Sequence, residues 1–457
     1  MVSARSLGVR VEVVAQLIAI RSPGIGSLAE RQSALDKRKP SVLVVAAKWW
    51  PASSRLAVAL NRHRCNVSAL CPAGHPLTHV SSVRKIYHYG GIASLDNLRC
   101  AIEDSQPDIV IPTDDGVVVQ LHALHECEPS MRTLIERSLG SADSYPVVES
   151  RYQLLNTALA LGVRIPRTRK VERDDDIEAW HAEIGSAAVV KVDGESGGNG
   201  VRISHSLEES LAAWRELRAP CSSAAAWKRL AIDRDPLAVW SRQRRRPKEV
   251  TIQEFITGRP ANSMLACWRG ELLSLVSVVV VAAQGPTGAA TIVRVIRNER
   301  MKRAAESLVS RLKLSGFYGL DFIIEAGTGV PYLIEMNPRC TQLGHIEFAG
   351  DGSMAGVLSA VLRGESRPTV RNPIRGDRIA LFPQALAAGD LCRSHLSASY
   401  HDTPSEEPRL MTELMRTPWP RRQWAARIYH AFKPPDRLDP VLFEDLDNDT
   451  ITIAIAR

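Results

Sequence analysis

The stretch FYGLDFIIEAGTGVPYLIEMNPR (317–339) constrains the fold more than any other part of the chain. Two apolar runs flank the tripeptide GTG (327–329), the pattern of a β-hairpin with its tip at the glycines. Centring the turn on Thr328 sets Asp321 and Glu335 at equal distances from the tip, so they face each other across the pair. Alternate residues of a strand share a face, which adds Asn337 to the same side and sends Arg339 after it. Two carboxylates and a carboxamide oxygen this close form a hard-oxygen site. Alone, the carboxylates would repel until one protonated. A divalent cation removes that conflict, and such ligands suit magnesium shared with phosphate oxygens, with manganese as the substitute. A solvent-facing polar strand fits badly, because Leu320, Phe322, Leu333, Ile334 and Met336 require a buried setting.

A complementary element lies upstream. In KVDGESGGNGV (191–201), Gly194, Gly197, Gly198 and Gly200 let the backbone bend around an anion and offer it N–H groups. Lys191 closes the preceding strand and reaches the same space. No Gly-Lys-Ser/Thr follows the glycines and no dinucleotide fingerprint is present. Taken by itself the loop reads equally well as a plain hairpin turn.

Around these elements the chain alternates strand and helix. SVLVVAAKWW (41–50), CNVSALCP (65–72) and PDIVIPTDD (107–115) are buried-type strands, with helical segments between them, one near 93–104. Asp114 and Asp115 end a strand where open parallel sheets bind ligands, although a helix cap explains either one as well. A second unit starts near Val148 with an amphipathic helix over 149–168 that Gly162 and Pro166 terminate. Strand, glycine loop and strand follow over 187–204, then a helix and a connector. Next come strands EVTIQEFITG (249–258), SMLACWRGELL (263–273) and SLVSVVVVAA (274–283), a helix over 300–313, and the hairpin. A strand-like DRIALFP (377–383) lies in the Pro-broken remainder.

Charge and cysteine content narrow the function classes. The net charge is +8, and residues 1–40 account for half of that excess. A second basic cluster, SRQRRRPK (241–248), has no interleaved aromatics, so both read as solvated surface or a rim attracting an anionic substrate, not a nucleic-acid site. None of the eight cysteines forms a C-x-x-C pair or zinc spacing, which suits reduced cytoplasmic thiols. VEVVAQLIAI (11–20) is too short and interrupted to span a membrane, and residues 1–40 are expected to be a poorly ordered or weakly helical extension.

The glycine loop, the segment IQEFITG (252–258) and the terminal LIEMNPR, in this order, resemble the ATP-grasp superfamily, in particular the carboxylate–amine ligases with a carbamoyl-phosphate-synthase-type ATP-grasp domain. The resemblance covers about residues 41–365. It implies an α/β chain: a parallel α/β pre-ATP-grasp domain (41–147), then a two-lobed ATP-grasp fold of α+β character (148–365). The flap lobe would span about 187–255 and the metal-binding lobe about 256–365, with 366–457 as a C-terminal segment or small domain. By position, Lys191 with Gly197, Gly198 and Gly200 would hold the ATP phosphates, and Gln253, Glu254, Phe255 and Ile256 would read adenine. Asp321, Glu335 and Asn337 would hold one or two magnesium ions, and Arg339 would steady the transferred phosphoryl group.

The chain departs from the family's pattern at two positions. Arg151 stands where members usually carry lysine, which keeps the charge but changes the geometry at the phosphates. Pro260 stands near the position of a ribose-binding glutamate. The resemblance implies a cytoplasmic ligase, a homodimer being compatible, that activates a small-molecule carboxylate as an acyl phosphate and joins it to an amine. A bicarbonate-activating carboxylase and a nucleotide-binding protein without turnover are the alternatives. Neither a nucleic-acid nor a membrane partner is expected.

Overall fold

The computed structural model describes residues 39–443 apart from 186, 195–199, 220–221, 244–248, 349–351, 367–373, 375, 388–391 and 434–438. The expectations for residues 1–38, for Gly197 and Gly198, and for most of the second basic cluster lie outside the described residues.

The N-terminal sheet is wholly parallel, in the order β3 (Lys85–His88), β2 (Asn66–Cys71), β1 (Ser41–Val45), β4 (Ile109–Pro112). A parallel strand covered on both faces needs an unbroken apolar run. β1 supplies it: Val42 and Val44 enter one core cluster, Leu43 and Val45 another.

The turn after β1 is pinned twice. Asp114 sits at the N-terminus of helix Asp115–Cys127 but caps nothing. Its carboxylate accepts the backbone N–H groups of Ala47 at 2.6 Å and Lys48 at 3.3 Å. The helix-cap alternative therefore fails for its side chain. His75 holds the turn from the other side, with Nδ1 accepting Leu77 N–H at 3.1 Å and Nε2 lying 2.9 Å from the Lys48 carbonyl. That arrangement needs a neutral ring with its proton on Nε2, and burial lowers the pKa of His75 to about 4. An unfolded histidine titrates near ~6.5. Between those values the unfolded chain binds a proton that the folded chain does not, so stability is present above pH ~6.5 and falls as the pH drops towards 4. The expected loss is roughly 3 kcal/mol, and urea unfolding of the parent and of His75→Gln near neutral pH and near pH 4.5 measures it as the difference between the two proteins. Equal acid sensitivity in both would contradict it.

A second sheet has the order β5 (Thr168–Val171), β8 (Val250–Glu254), β6 (Ala188–Val192), β7 (Val201–Ser204), all antiparallel. Helices Asp174–Ile184 and Leu207–Arg218 cover one face through Ile177, Trp180, Trp214 and Leu217. The third and largest sheet runs β13 (Pro331–Asn337), β12 (Gly316–Glu325), β9 (Gly258–Trp268), β10 (Glu271–Gln284), β11 (Ala290–Ile296). It continues to β16 (Arg378–Leu381) and β17 (Tyr400–Asp402), while β18 (Pro440–Leu442) pairs with β10 where β9 has ended. A small ribbon of β14 (Glu347–Phe348) and β15 (Gly352–Ser353) stands apart. One face of the large sheet is covered by helix Glu299–Leu312, and the other packs towards β1 and helix Pro51–Arg62. A parallel α/β sheet followed by two sheets that are antiparallel, except where β17 joins β16 in parallel, makes the mixed α/β fold expected above.

The structure corrects three local readings. The expected strand 263–273 turns at Arg269 and Gly270, both at positive φ (49° and 86°), as a tight two-residue hairpin requires. The expected strand 249–258 stops at Glu254, and the chain then crosses from the second sheet to the third. It enters β9 at Gly258, where a Cβ would stand 2.2 Å from the Ile324 carbonyl, so only glycine allows the approach. Three helices, Leu207–Arg218, Ser223–Ala231 and Ala238–Gln243, replace the single expected one, and the last includes residues 241–243 of the basic cluster. None of the seven described cysteines is in a disulfide. No helix among the described residues is long and apolar enough to cross a membrane.

Candidate functional site

Near its tip the β12–β13 hairpin pairs Ile324 with Pro331, Ile323 with Tyr332 and Phe322 with Leu333. In that register Asp321 would face Ile334. A bulge between Asp321 and Phe322 instead leaves Ile334 over and brings Asp321 opposite Glu335. On its other side Asp321 pairs with Asn262 of β9. Glu335, Asp321 and Asn262 thus form one row across three neighbouring strands.

Two hydrogen-bonded chains converge on this row. In the first, Asn337 Nδ2 donates to Asp321 Oδ2 at 2.8 Å and Arg339 Nη2 donates to Asn337 Oδ1 at 3.2 Å. Arg339 Nε in turn donates to Asp115 Oδ1 at 2.9 Å, so Asp115 orients the arginine from the N-terminal unit. The second chain passes through Arg151, which opens helix Arg151–Ala160. Its Nη2 donates to Glu335 Oε1 at 2.8 Å, its Nη1 to Asp193 Oδ1 at 2.7 Å and its backbone N–H to Asp193 Oδ2 at 3.1 Å. The guanidinium is buried between two carboxylates.

Electrostatics mark the row as short of positive charge. Burial, and then repulsion from Glu335, raise the Asp321 pKa to about 6 against the opposing pull of Asn337, Arg339 and Lys191. Asp193 is likewise raised to about 6, by burial first. A hard divalent cation would relieve Asp321 and Glu335 together, and the donor types fit one. Asn337 turns its Nδ2 to Asp321 and its Oδ1 to Arg339, so offering the carboxamide oxygen to a cation beside Asp321 requires the amide to turn over.

Across the cavity, Lys191 Nζ donates to Gln253 Oε1 at 2.8 Å, and Gln253 Nε2 donates to Thr168 Oγ1 at 3.1 Å. The Gln253 side chain therefore faces the lysine, and residues 254–256 continue the cavity wall beyond it. Burial, followed by the nearby Arg151, lowers the Lys191 pKa to about 8, with Glu335, Asp321 and Asp193 working against them. Glu254 pairs with Arg167 through both its backbone N–H (2.9 Å) and its carboxylate (3.3 Å).

A single cavity of about 360 Å³ brings these groups together. Arg151, Lys191, Gly200, Gln253, Glu254, Phe255, Ile256, Asp321, Glu335, Asn337 and Arg339 all line it. The volume is in the range of small-molecule sites. Asn262, Trp50, Gln342 and Phe443 also line it, and Asp115 and Asp193 organise its arginines. Sequence reasoning missed Asn262, Trp50, Gln342, Phe443 and Asp193. Only Asp193 left a local sign, standing between Lys191 and the glycine loop.

Residues 237–342 match the family of ATP-grasp domains. Among solved structures, the chain is similar to N5-carboxyaminoimidazole synthetase from Staphylococcus aureus (13% identity, TM-score 0.51, covering 73% of this chain and 80% of that one). It is similar to N5-carboxyaminoimidazole synthase from Aspergillus clavatus in complex with ADP and 5-aminoimidazole ribonucleotide (13%, TM-score 0.54, 75% and 80%). A third likeness is to the biotin carboxylase domain of Hydrogenobacter thermophilus 2-oxoglutarate carboxylase, with MgADP, ADP and bicarbonate (14%, TM-score 0.54, 73% and 71%). No curated protein matches the chain in sequence.

Proposed function

We propose that this chain, which carries the ATP-grasp fold around its matched ATP-grasp domain, is an ATP-dependent ligase that activates a carboxylate as an acyl phosphate and transfers the acyl group to an amine. The reading rests on one convergence: Lys191 on one wall, and Asp321, Glu335, Asn337 and Arg339 on the other, share a cavity of nucleotide-compatible size. Asp321, Glu335 and Asn337 would hold magnesium, which when bound neutralises phosphate charge. Lys191, held by Gln253, faces the phosphates as a fixed donor. Arg339, oriented by Asp115 and Asn337, stands where the γ-phosphoryl group transfers, so its charge needs no reorganisation during the step. A carboxylate oxygen of the substrate attacks the γ-phosphorus and ADP leaves. The amine then attacks the acyl carbon, loses a proton, and the carbon–oxygen bond to phosphate breaks. An acyl phosphate survives only where water is kept from it.

Bicarbonate is the second candidate for the activated carboxylate, because the Hydrogenobacter domain is described with that anion. ADP formation with bicarbonate alone would favour it. An organic carboxylate and amine pair should instead be required.

The segment 254–256 makes a separate prediction. Its backbone should pair with the amino edge of adenine, so ATP should displace a fluorescent ADP analogue at least about tenfold more effectively than GTP. Equal displacement would mean that these residues do not read the base.

A further inference from the structure

The cavity changes character along the large sheet. On the face turned to the N-terminal unit, Glu335 of β13, Asp321 of β12 and Asn262 of β9 stand in one row. The next strands on that face contribute Val280 and Ala283 of β10 and Ala290 of β11. Strands lie ~4.8 Å apart, so the surface passes from carboxylate to hydrocarbon within the length of a small molecule. Lys191, Gln253 and Glu254 belong to the second sheet, with Phe255 and Ile256 leading out of it, and the apolar end lies on β10 and β11, beyond the polar row.

Two aromatic residues from distant parts of the chain also line the cavity. Trp50 comes from the turn after β1 that Asp114 and His75 pin. Phe443 follows β18 and donates its N–H to the Val281 carbonyl at 2.8 Å. Its side chain is wholly buried yet forms part of the cavity wall. Among these residues the Trp50 indole N–H and the Gln342 and Asn262 side-chain oxygens are buried without a hydrogen-bond partner among the described residues. Buried polar atoms of this kind are costly unless a ligand satisfies them. The cations among the described lining residues are Arg151, Lys191 and Arg339. Arg151 is held between Asp193 and Glu335, and Lys191 by Gln253, both on the nucleotide side of the row. That leaves Nη1 of Arg339, whose Nε and Nη2 donate to Asp115 and Asn337, for an acceptor, enough for one carboxylate and too little for a phosphate dianion in addition.

We infer that the subsite bounded by Trp50, Val280, Ala283, Gln342 and Phe443 takes a carboxylic acid with a compact apolar or aromatic body and no phosphate, its carboxylate against Arg339. This rests on the ligase reading above and specifies its first substrate. It sets the chain apart from the Aspergillus neighbour, whose described ligand is a ribonucleotide.

Calorimetric titration of the full chain tests it, first with MgADP and then, on the ADP-loaded protein, with 3-phenylpropanoate, 4-methylpentanoate, benzoate and 5-aminoimidazole ribonucleotide. Failure to bind MgADP would remove the underlying ligase reading. With MgADP bound, at least one of the three acids should bind and the ribonucleotide should not. Trp50→Ala and Gln342→Leu should each weaken that acid by about tenfold while MgADP affinity stays within about twofold. Should Trp50→Ala fail to fold, Gln342→Leu carries the same comparison. Binding of the ribonucleotide, binding of none of the acids, or acid affinity that neither variant changes would overturn the assignment.

Discussion

Glu335→Gln is expected to lower ATP turnover by at least about three orders of magnitude, ~4 kcal/mol of transition-state stabilisation, while the protein stays folded. Glu335 is half of the carboxylate pair that the β12–β13 bulge creates. Glutamine keeps the shape and an oxygen for Arg151 Nη2 to donate to, so the buried arginine retains both its contacts. The negative charge that would bind a cation is lost, while Arg151 keeps its ion pair with Asp193. Asn337→Ala should give a comparable loss by a different route. It removes the amide that links Asp321 to Arg339, so the cation site and the arginine's orientation fail together. Circular dichroism and ATP turnover measured on the same preparations test this, and near-normal magnesium-dependent activity in either variant would contradict the metal assignment.

Arg151→Ala should show the second large effect, and the structure makes it one of stability as well as rate. Removing the guanidinium leaves Asp193 and Glu335 facing the same buried space with no cation between them. Breaking a buried pair by deleting one partner typically costs about 3–5 kcal/mol. Both carboxylates line or adjoin an open cavity, which places the expected loss at the lower end, about 3 kcal/mol in urea unfolding. Arg151→Lys should recover part of the stability, because one ammonium reaches one carboxylate where the planar fork reaches two. If Arg151 also contacts the ATP phosphates, the alanine variant should raise the apparent KM for ATP by one to two orders of magnitude, about 1.4–2.7 kcal/mol, and lysine should restore most of it. An alanine variant as stable and as active as the parent would contradict both roles.

The hairpin was legible because its information is local. The GTG tip and the apolar flanks fix the pair, and the carboxylates stand the same distance from the tip. Its register was reached for an incomplete reason: the tip alone would have set Asp321 against Ile334, and the bulge restores the pairing. Asn262 was out of reach, since its place depends on β9 lying beside β12, a long-range pairing, and the β9–β10 turn was itself misplaced. That turn uses Arg269 in the left-handed region ahead of Gly270, a weaker signal than Asn-Gly or Asp-Gly. The Asp193–Arg151–Glu335 bridge joins a loop, a helix start and a strand from separate parts of the chain, so no spacing rule finds it. Trp50 and Phe443 meet at the cavity only because the N-terminal turn and β18 both pack on the large sheet. Asp115 was visible as a strand-end acid and Arg339 as a site cation, but their pairing was not.

The most direct test of the central claim is hydroxylamine trapping during ATP turnover with a panel of apolar carboxylates. The geometry of Arg339 and the Asp321–Glu335–Asn337 set predicts ADP and a hydroxamate in equal amounts, dependent on magnesium and absent with Glu335→Gln. Formation of AMP and pyrophosphate, or of ADP with no hydroxamate from any carboxylate, would contradict it.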